Sequence, residues 1–223
     1  MHEKKLDLSK RKKKIKESLL MQFIRLWSYP ITHILIRTPI TANQVTFLSF
    51  IFVVLASVSF SLNEYRFTLL GGIFAWIAII LDLADGEIAR IKNQCSDFGR
   101  WFDGALDRVK DFLILAGISI GVYQQYPSIY ILILGLFATA STALWRYLSL
   151  FKIAIFNLPL EKEKPYKLIG LDVGMQYFII TVGALLNQLL LVLIFFAVFI
   201  NLAWLKNIFI TFIRRNDRGG ASK

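Results

Sequence analysis

The sequence predicts an all-α membrane protein: six transmembrane helices preceded by an N-terminal interfacial amphipathic helix, with both termini cytoplasmic. Three observations carry that prediction. Of the 223 residues, 56% are hydrophobic and 18% charged, against about 45–50% and about 25% in ordinary soluble domains. Mean hydropathy is +0.57. The formal net charge of +11 sits in basic residues between apolar runs, a placement that points to a membrane and away from nucleic acid as the partner of the positive charge.

The stretch from Lys4 to Lys16 is lysine-rich and lacks the apolar h-region of a signal peptide. It leads into a helical pattern with Ile15, Leu19, Phe23 and Trp27 on one stripe and Lys12, Lys16 and Arg25 off it. That spacing suits a helix lying on an anionic membrane face. Apolar stretches follow at about Val45 to Leu62, Phe67 to Ala84, Trp101 to Tyr123 and Ile129 to Leu150. The run from Val173 to Ile200 and beyond is too long for one helix, and Asn187 and Gln188 mark the turn between a fifth and a sixth span. The expected organisation is a basic tail and interfacial helix over 1–40, a six-helix domain over 41–213 and a basic tail over 214–223.

Loop charge tests that count independently. The segments Asn63–Arg66, Gln124–Ser128 and Asn187–Gln188 carry a single cation, Arg66. The opposite set holds the basic N-terminus, then Arg90, Lys92 and Arg100, then Lys152, Lys162, Lys164 and Lys167, and finally Arg214, Arg215 and Arg218. The alternation places both termini, and the acidic segment described next, on the cytoplasmic side. The lone cysteine, Cys95, excludes an intrachain disulfide, and His2 and His33 have no second histidine at a ligand spacing.

Residues 81 to 111 read LDLADGEIARIKNQCSDFGRWFDGALDRVKD. Asp82 and Asp85 close one apolar helix, and Asp103, Asp107 and Asp111 line the start of the next, with Gly86–Arg100 as the expected connection. Ionised carboxylates near a membrane core cost several kcal/mol each, on the order of a charged residue at a helix centre, unless paired, hydrated or bound to a cation. Asp82 and Asp85, three apart, share a face, as do Asp103 and Asp107, four apart. Antiparallel neighbours would bring both faces together, and clustered oxygens suit hard cations such as Mg²⁺, Mn²⁺ or Ca²⁺. Four such carboxylates suffice for two ions. Gly86 and Gly99 leave room for a ligand at the backbone, and Arg90 suits phosphate oxygens. Metal, arginine and glycine together are the equipment for a diphosphate ligand. The bland alternative, solvent-exposed Asp–Arg pairs at a helix end, accounts for Asp111, Arg108 and Lys110 but not for Asp82, which directly follows the apolar run Trp76–Leu81. A cation transporter, the rival function, predicts acids spread over several helices rather than clustered on two consecutive ones.

At these residues the sequence resembles the CDP-alcohol phosphatidyltransferases. Their signature, D-x2-D-G-x2-A-R-x8-G-x3-D-x3-D, is filled by Asp82, Asp85, Gly86, Ala89, Arg90, Gly99, Asp103 and Asp107. At typical residue usage, a chance match at one starting position is on the order of 10⁻¹⁰. Thr41 to Thr46, TANQVT, is similar to the family's T-P-N-x-[IV]-T element near the nucleotide site, with Ala42 in place of the usual proline. The resemblance implies a homodimeric membrane enzyme that moves a substituted phosphate from a CDP-linked donor to an alcohol and releases CMP. It implies that Asp82, Asp85, Asp103 and Asp107 bind Mg²⁺ or Mn²⁺, two ions being expected, and that Asp107 is also the general base. Gly86, Ala89, Arg90 and Gly99, with Asn43 and Thr46, would line the nucleotide site. Arg146, Lys152, Lys164 and Lys167 are candidates for an acceptor phosphate, with inositol phosphate, glycerol 3-phosphate and serine as the acceptors in view. The stretch Gly170 to Gln188 looks most like the inositol-phosphate branch, but Leu171 and Gly174 stand where that branch usually has arginines.

Overall fold

The computed structural model describes residues 18–156 and 172–219, and among these the chain is helical with no strand. The helices are α1 (Leu19–Leu35), α2 (Ala42–Ser61), α3 (Tyr65–Ile91), α4 (Asp97–Gln125), α5 (Ile129–Phe156), α6 (Val173–Leu185), α7 (Leu189–Phe195) and α8 (Asn201–Gly219). A π-helical turn, Phe196–Ile200, joins α7 to α8 without a break. Four stretches are long and apolar enough to cross a membrane: Ala42–Ser61, Tyr65–Ile91, Ile129–Phe151 and Leu189–Phe212. Two expected spans fall outside that group, α4 because its first half carries the acids and α6 because it has only 13 residues. Lys4 to Lys16, Lys162, Lys164, Lys167 and Leu171 lie outside the described residues.

Local chemistry sets the boundaries. Ser18, Thr41, Ser96 and Asp172 each cap a helix by accepting from the backbone N–H three residues on, and at Thr41 the side chain of Gln44 bonds back to complete a capping box. Asn93 and Asn187, with φ of 55° each, end α3 and α6 in left-handed backbone. In both, the following N–H reaches back to a carbonyl of the last turn, Gln94 to Ala89 at 2.8 Å and Gln188 to Gly183 at 2.7 Å. The expected turn at Asn187–Gln188 is therefore present. The expected break at Gly86 is not. α3 continues to Ile91, and the connection to α4 shrinks to residues 92–96. A glycine inside a helix costs only about 1 kcal/mol, which the buried neighbours Asp85, Glu87 and Ile88 offset by packing.

The helices pack around α2, α3 and α4. α4 lies against α2 with backbone in contact: a Cβ added at Gly117 would sit 2.3 Å from Ser57 O, and one at Gly121 would sit 2.1 Å from Phe60 O. Ser57 Oγ also donates to Leu113 O at 2.6 Å. Small residues and serine bonds of this kind hold helices together in lipid, where apolar burial alone gives little preference for a neighbour.

α1 packs against α3 and α6 with its polar side inward. Leu19, Phe23 and Trp27 of the predicted apolar stripe are exposed, whereas Ile24, Arg25, Ser28 and Thr32 are buried. The reason is Glu87, fully buried on α3. Its carboxylate accepts from Arg25 Nη1 at 2.6 Å, Ser28 Oγ at 3.2 Å and Thr32 Oγ1 at 2.7 Å. A Glu87→Gln variant leaves Arg25 buried without its counter-charge, at a cost of about 3–5 kcal/mol. Thermal unfolding in detergent should show a lower midpoint for that variant and partial recovery in Glu87→Gln/Arg25→Met.

Candidate active site

α3 contributes Asp82 and Asp85 from its last three turns, and α4 contributes Asp103 and Asp107 from its first three. α2 packs against both α3 and α4, and the acidic side chains of the two meet beside it. Asp82, Asp85 and Asp103 each place a carboxylate oxygen within 4.8 Å of the others. Asp85 is buried and accepts from Thr46 Oγ1, on α2, at 2.6 Å. Asp107 is drawn elsewhere: Lys110 Nζ stands 2.8 Å from its Oδ1, and Arg108 Nη2 is 3.5 Å from its Oδ2. The same Lys110 ammonium pairs with Asp82 and lies 3.5 Å from Ser49 Oγ.

The donor set fits a divalent cation. It consists of hard carboxylate oxygens from two helices, partly shielded from solvent, with Thr46 orienting Asp85 from behind. Of the four aspartates expected as ligands, three converge and Asp107 is held one step away by its two cations.

The other expected residues lie near the end of α3 and the starts of α2 and α4. Gly86 has open space on its Cβ side except for Arg90, whose Nη1 would lie 3.4 Å from an added carbon. The glycine thus clears room for the guanidinium four residues on. Gly99 faces Asn43, whose Oδ1 would be 3.3 Å from an added Cβ, so the starts of α2 and α4 meet here. Ala89 instead packs against the apolar cluster of Ile36, Ala42, Val45 and Ile88. Lys92 donates to the carbonyls of Thr38 and Ile40, both at 2.7 Å, and Gln94 Oε1 accepts from Ala42 N at 2.9 Å. These bonds tie the α3–α4 connection to the entry of α2.

Asp111 does not form the local pairs expected with Arg108 and Lys110. It is buried, and its nearest ion-pair partner is Arg146 of α5, with Nε 4.0 Å from its Oδ2. Asp111 Oδ2, Arg108 Nε and Ser149 Oγ are buried there without a hydrogen-bond partner. The residues missed in the sequence are Lys110, Ser49 and Glu87. Lys110 had a usable signal, since it follows Asp107 by three residues and shares its face.

A bundle of helices, several long and apolar enough to cross a membrane, that brings three shielded carboxylates together defines a membrane-type protein with a candidate cation site. The chain belongs to the CDP-alcohol phosphatidyltransferase family, whose model matches residues 39–209. It is 34% identical over 96 residues to the archaetidylinositol phosphate synthase of Pyrococcus horikoshii, an alignment covering 43% of this chain and 50% of that protein. It is 28% identical over 132 residues to the CDP-diacylglycerol–serine O-phosphatidyltransferase of Helicobacter pylori, covering 58% and 51%. The chain spans about half the length of these curated relatives. Among solved structures it is similar to the Mycobacterium tuberculosis phosphatidylinositol phosphate synthase with CDP-DAG bound, with a TM-score of 0.66 and 18% identity, covering 81% of this chain and 91% of that one. At that identity the likeness is one of fold.

Thr46→Val removes the hydroxyl that orients Asp85 and keeps the side-chain volume. Second-sphere losses of this kind typically weaken metal affinity by about 10–100-fold. Titration of the purified protein with Mn²⁺ should show a shift of that size, with the helical circular dichroism spectrum unchanged.

Proposed function

We propose that this chain transfers a substituted phosphate from a CDP-linked donor to the hydroxyl of an alcohol acceptor, releasing CMP. The observation that carries the reading is the convergence of Asp82, Asp85 and Asp103 beside Asp107, in the order the family signature requires. The donor is a CDP-diacylglycerol-like lipid or CDP-inositol. The acceptor is of the inositol-phosphate or glycerol 3-phosphate type, a reading supported by the name of the Pyrococcus relative. α4 and α6 complete a bundle of six spans with the four helices of spanning length. The acidic site then opens on the side of the basic loops, taken as cytoplasmic.

Asp82, Asp85 and Asp103 are the residues that would hold magnesium or manganese. When bound, the metal supplies positive charge to neutralise the donor's diphosphate and the departing CMP oxygen. Arg90, lying over Gly86, gives the phosphates a planar pair of N–H donors. Asn43 and Gly99, at the meeting of α2 and α4, border the space for the nucleotide. The acceptor hydroxyl is a poor nucleophile and needs a carboxylate to take its proton as its oxygen bonds to the β-phosphorus and the bond to the CMP oxygen breaks. Asp107 fills that role. Its Oδ1 is engaged by Lys110, while Oδ2 has only the long contact to Arg108 and remains able to accept. Arg146 and Arg108, on the α4–α5 side, are the cations placed to meet a phosphate on the acceptor.

The transporter reading fits the placement less well. The four signature acids sit on two consecutive helices, and α5, α6 and α7 carry none. The deciding assay supplies purified protein with Mg²⁺ or Mn²⁺, a CDP-linked lipid donor or CDP-inositol, and a panel of alcohols, and follows CMP. Release should depend on one acceptor and stop with a chelator. Asp107→Asn should lower turnover by about 10²–10⁴-fold, the usual contribution of a general base, while Mn²⁺ still binds. Undiminished turnover in that variant would remove Asp107 as the base.

A further inference from the structure

Lys110 is the one buried lysine among the described residues, and its position inside the acidic cluster is unexplained by the roles given so far. Its side chain is 3% exposed, so the ammonium is largely shielded from solvent. It pairs with Asp82 from α3 and with Asp107 Oδ1 from its own helix at 2.8 Å, and so stands between two of the expected metal ligands. A divalent ion bridging those carboxylates would compete with the ammonium for Asp82 Oδ1 and Asp107 Oδ1. Two cations at such spacing repel strongly in a low-dielectric site.

Charge balance leads to the same place. Asp82, Asp85, Asp103 and Asp107 bring four negative charges, and Lys110 and Arg108, both in contact with Asp107, bring two positive ones. The remainder is neutralised by one divalent ion. A second ion would leave the site with surplus positive charge before any diphosphate arrives. The geometry agrees, because among the described residues Asp82, Asp85 and Asp103 are the group of three acids whose oxygens lie close enough together to share an ion.

We infer that Lys110 is a built-in counter-ion that replaces a second divalent cation between Asp82 and Asp107, so that the donor-free protein holds one ion, on Asp82, Asp85 and Asp103. This rests on the proposed role of those aspartates as metal ligands. It revises the two-ion expectation drawn from the sequence. It also makes Lys110 a positioning residue, since the ammonium fixes where the Asp107 carboxylate points.

The test is to count ions in the purified full chain, in detergent and without nucleotide, by following the free Mn²⁺ signal in electron paramagnetic resonance during a titration. The wild type should bind one Mn²⁺ per chain. Lys110→Met keeps a long side chain and removes the charge, and it should bind two. Two ions of comparable affinity in the wild type would overturn the inference while leaving the aspartates as ligands. No bound ion would overturn the metal-site reading beneath it as well. A folded Lys110→Met protein that still binds one ion would show that the lysine is not what excludes the second. If Lys110→Met does not fold, Lys110→Gln is the second variant, and the wild-type count remains decisive by itself.

Discussion

A carboxylate shielded from water must be met by positive charge or hydrogen-bond donors, and in this chain that requirement organises the helices as well as the site. Glu87 receives Arg25, Ser28 and Thr32, which brings α1 onto α3. Asp85 receives Thr46, which joins α2 to α3. Lys110 reaches Asp82 across the α3–α4 boundary, and Arg146 approaches Asp111 between α5 and α4. Apolar side chains have little preference between lipid and a neighbouring helix, so polar links of this kind are what select a particular packing. α3 takes part in three of these four links. The helix that carries two of the candidate metal ligands is therefore also the hub of these links.

Polar links fix register only if the backbones come close enough for short side chains to meet. Gly117 and Gly121 provide that approach between α4 and α2. Lys92 and Gln94, bonded to Thr38, Ile40 and Ala42, then hold the short α3–α4 connection against the start of α2. Three helix ends are braced around the cluster as a result: the start of α2, the end of α3 and the start of α4. The candidate site is thereby built on rigid elements rather than loops, which holds its side chains in a fixed geometry.

The apolar segments were legible in the sequence because a twenty-residue hydrophobic run has few other uses, and the turn at Asn187 was legible because polar residues interrupt such a run. The end of α3 was not. Asp82, Asp85 and Gly86 look like the exit from a helix when read by composition, yet the acids find partners on α2 and α4 and the helix runs on to Ile91. The side of α1 that meets the protein was not legible either. An apolar stripe identifies which side of a helix avoids water, but in a membrane both lipid and protein satisfy it. Only the partner Glu87, hidden among the unspecified positions of the signature, decides that Arg25 points inward. Lys110 belongs to the same class: helical spacing offers it Asp107 or solvent, and tertiary packing adds Asp82 to the choice.

That inward docking of α1 bears on how the acceptor is distinguished. Gly174, near the start of α6, stands where the resembling inositol-phosphate branch usually has an arginine. A Cβ added there would lie 2.5 Å from Met21 Sδ and 2.9 Å from Ile24 Cδ1, both on α1. The Glu87 network that buries Arg25 also seats Ile24 against α6, so the space a long cationic side chain would need is filled by α1 itself. An arginine at Gly174 would have to push aside the ends of the Met21 and Ile24 side chains of α1. On the proposed function, recognition of an acceptor phosphate therefore shifts to cations on other helices. Arg146 and Arg108 are held near the cluster by Asp111 and Asp107, and an orphaned Arg108 Nε and Ser149 Oγ lie buried beside them. On that proposal, donor chemistry and acceptor choice rest on different parts of the bundle, the first on α3 and α4 with the start of α2, the second on the contacts α4 makes with α5.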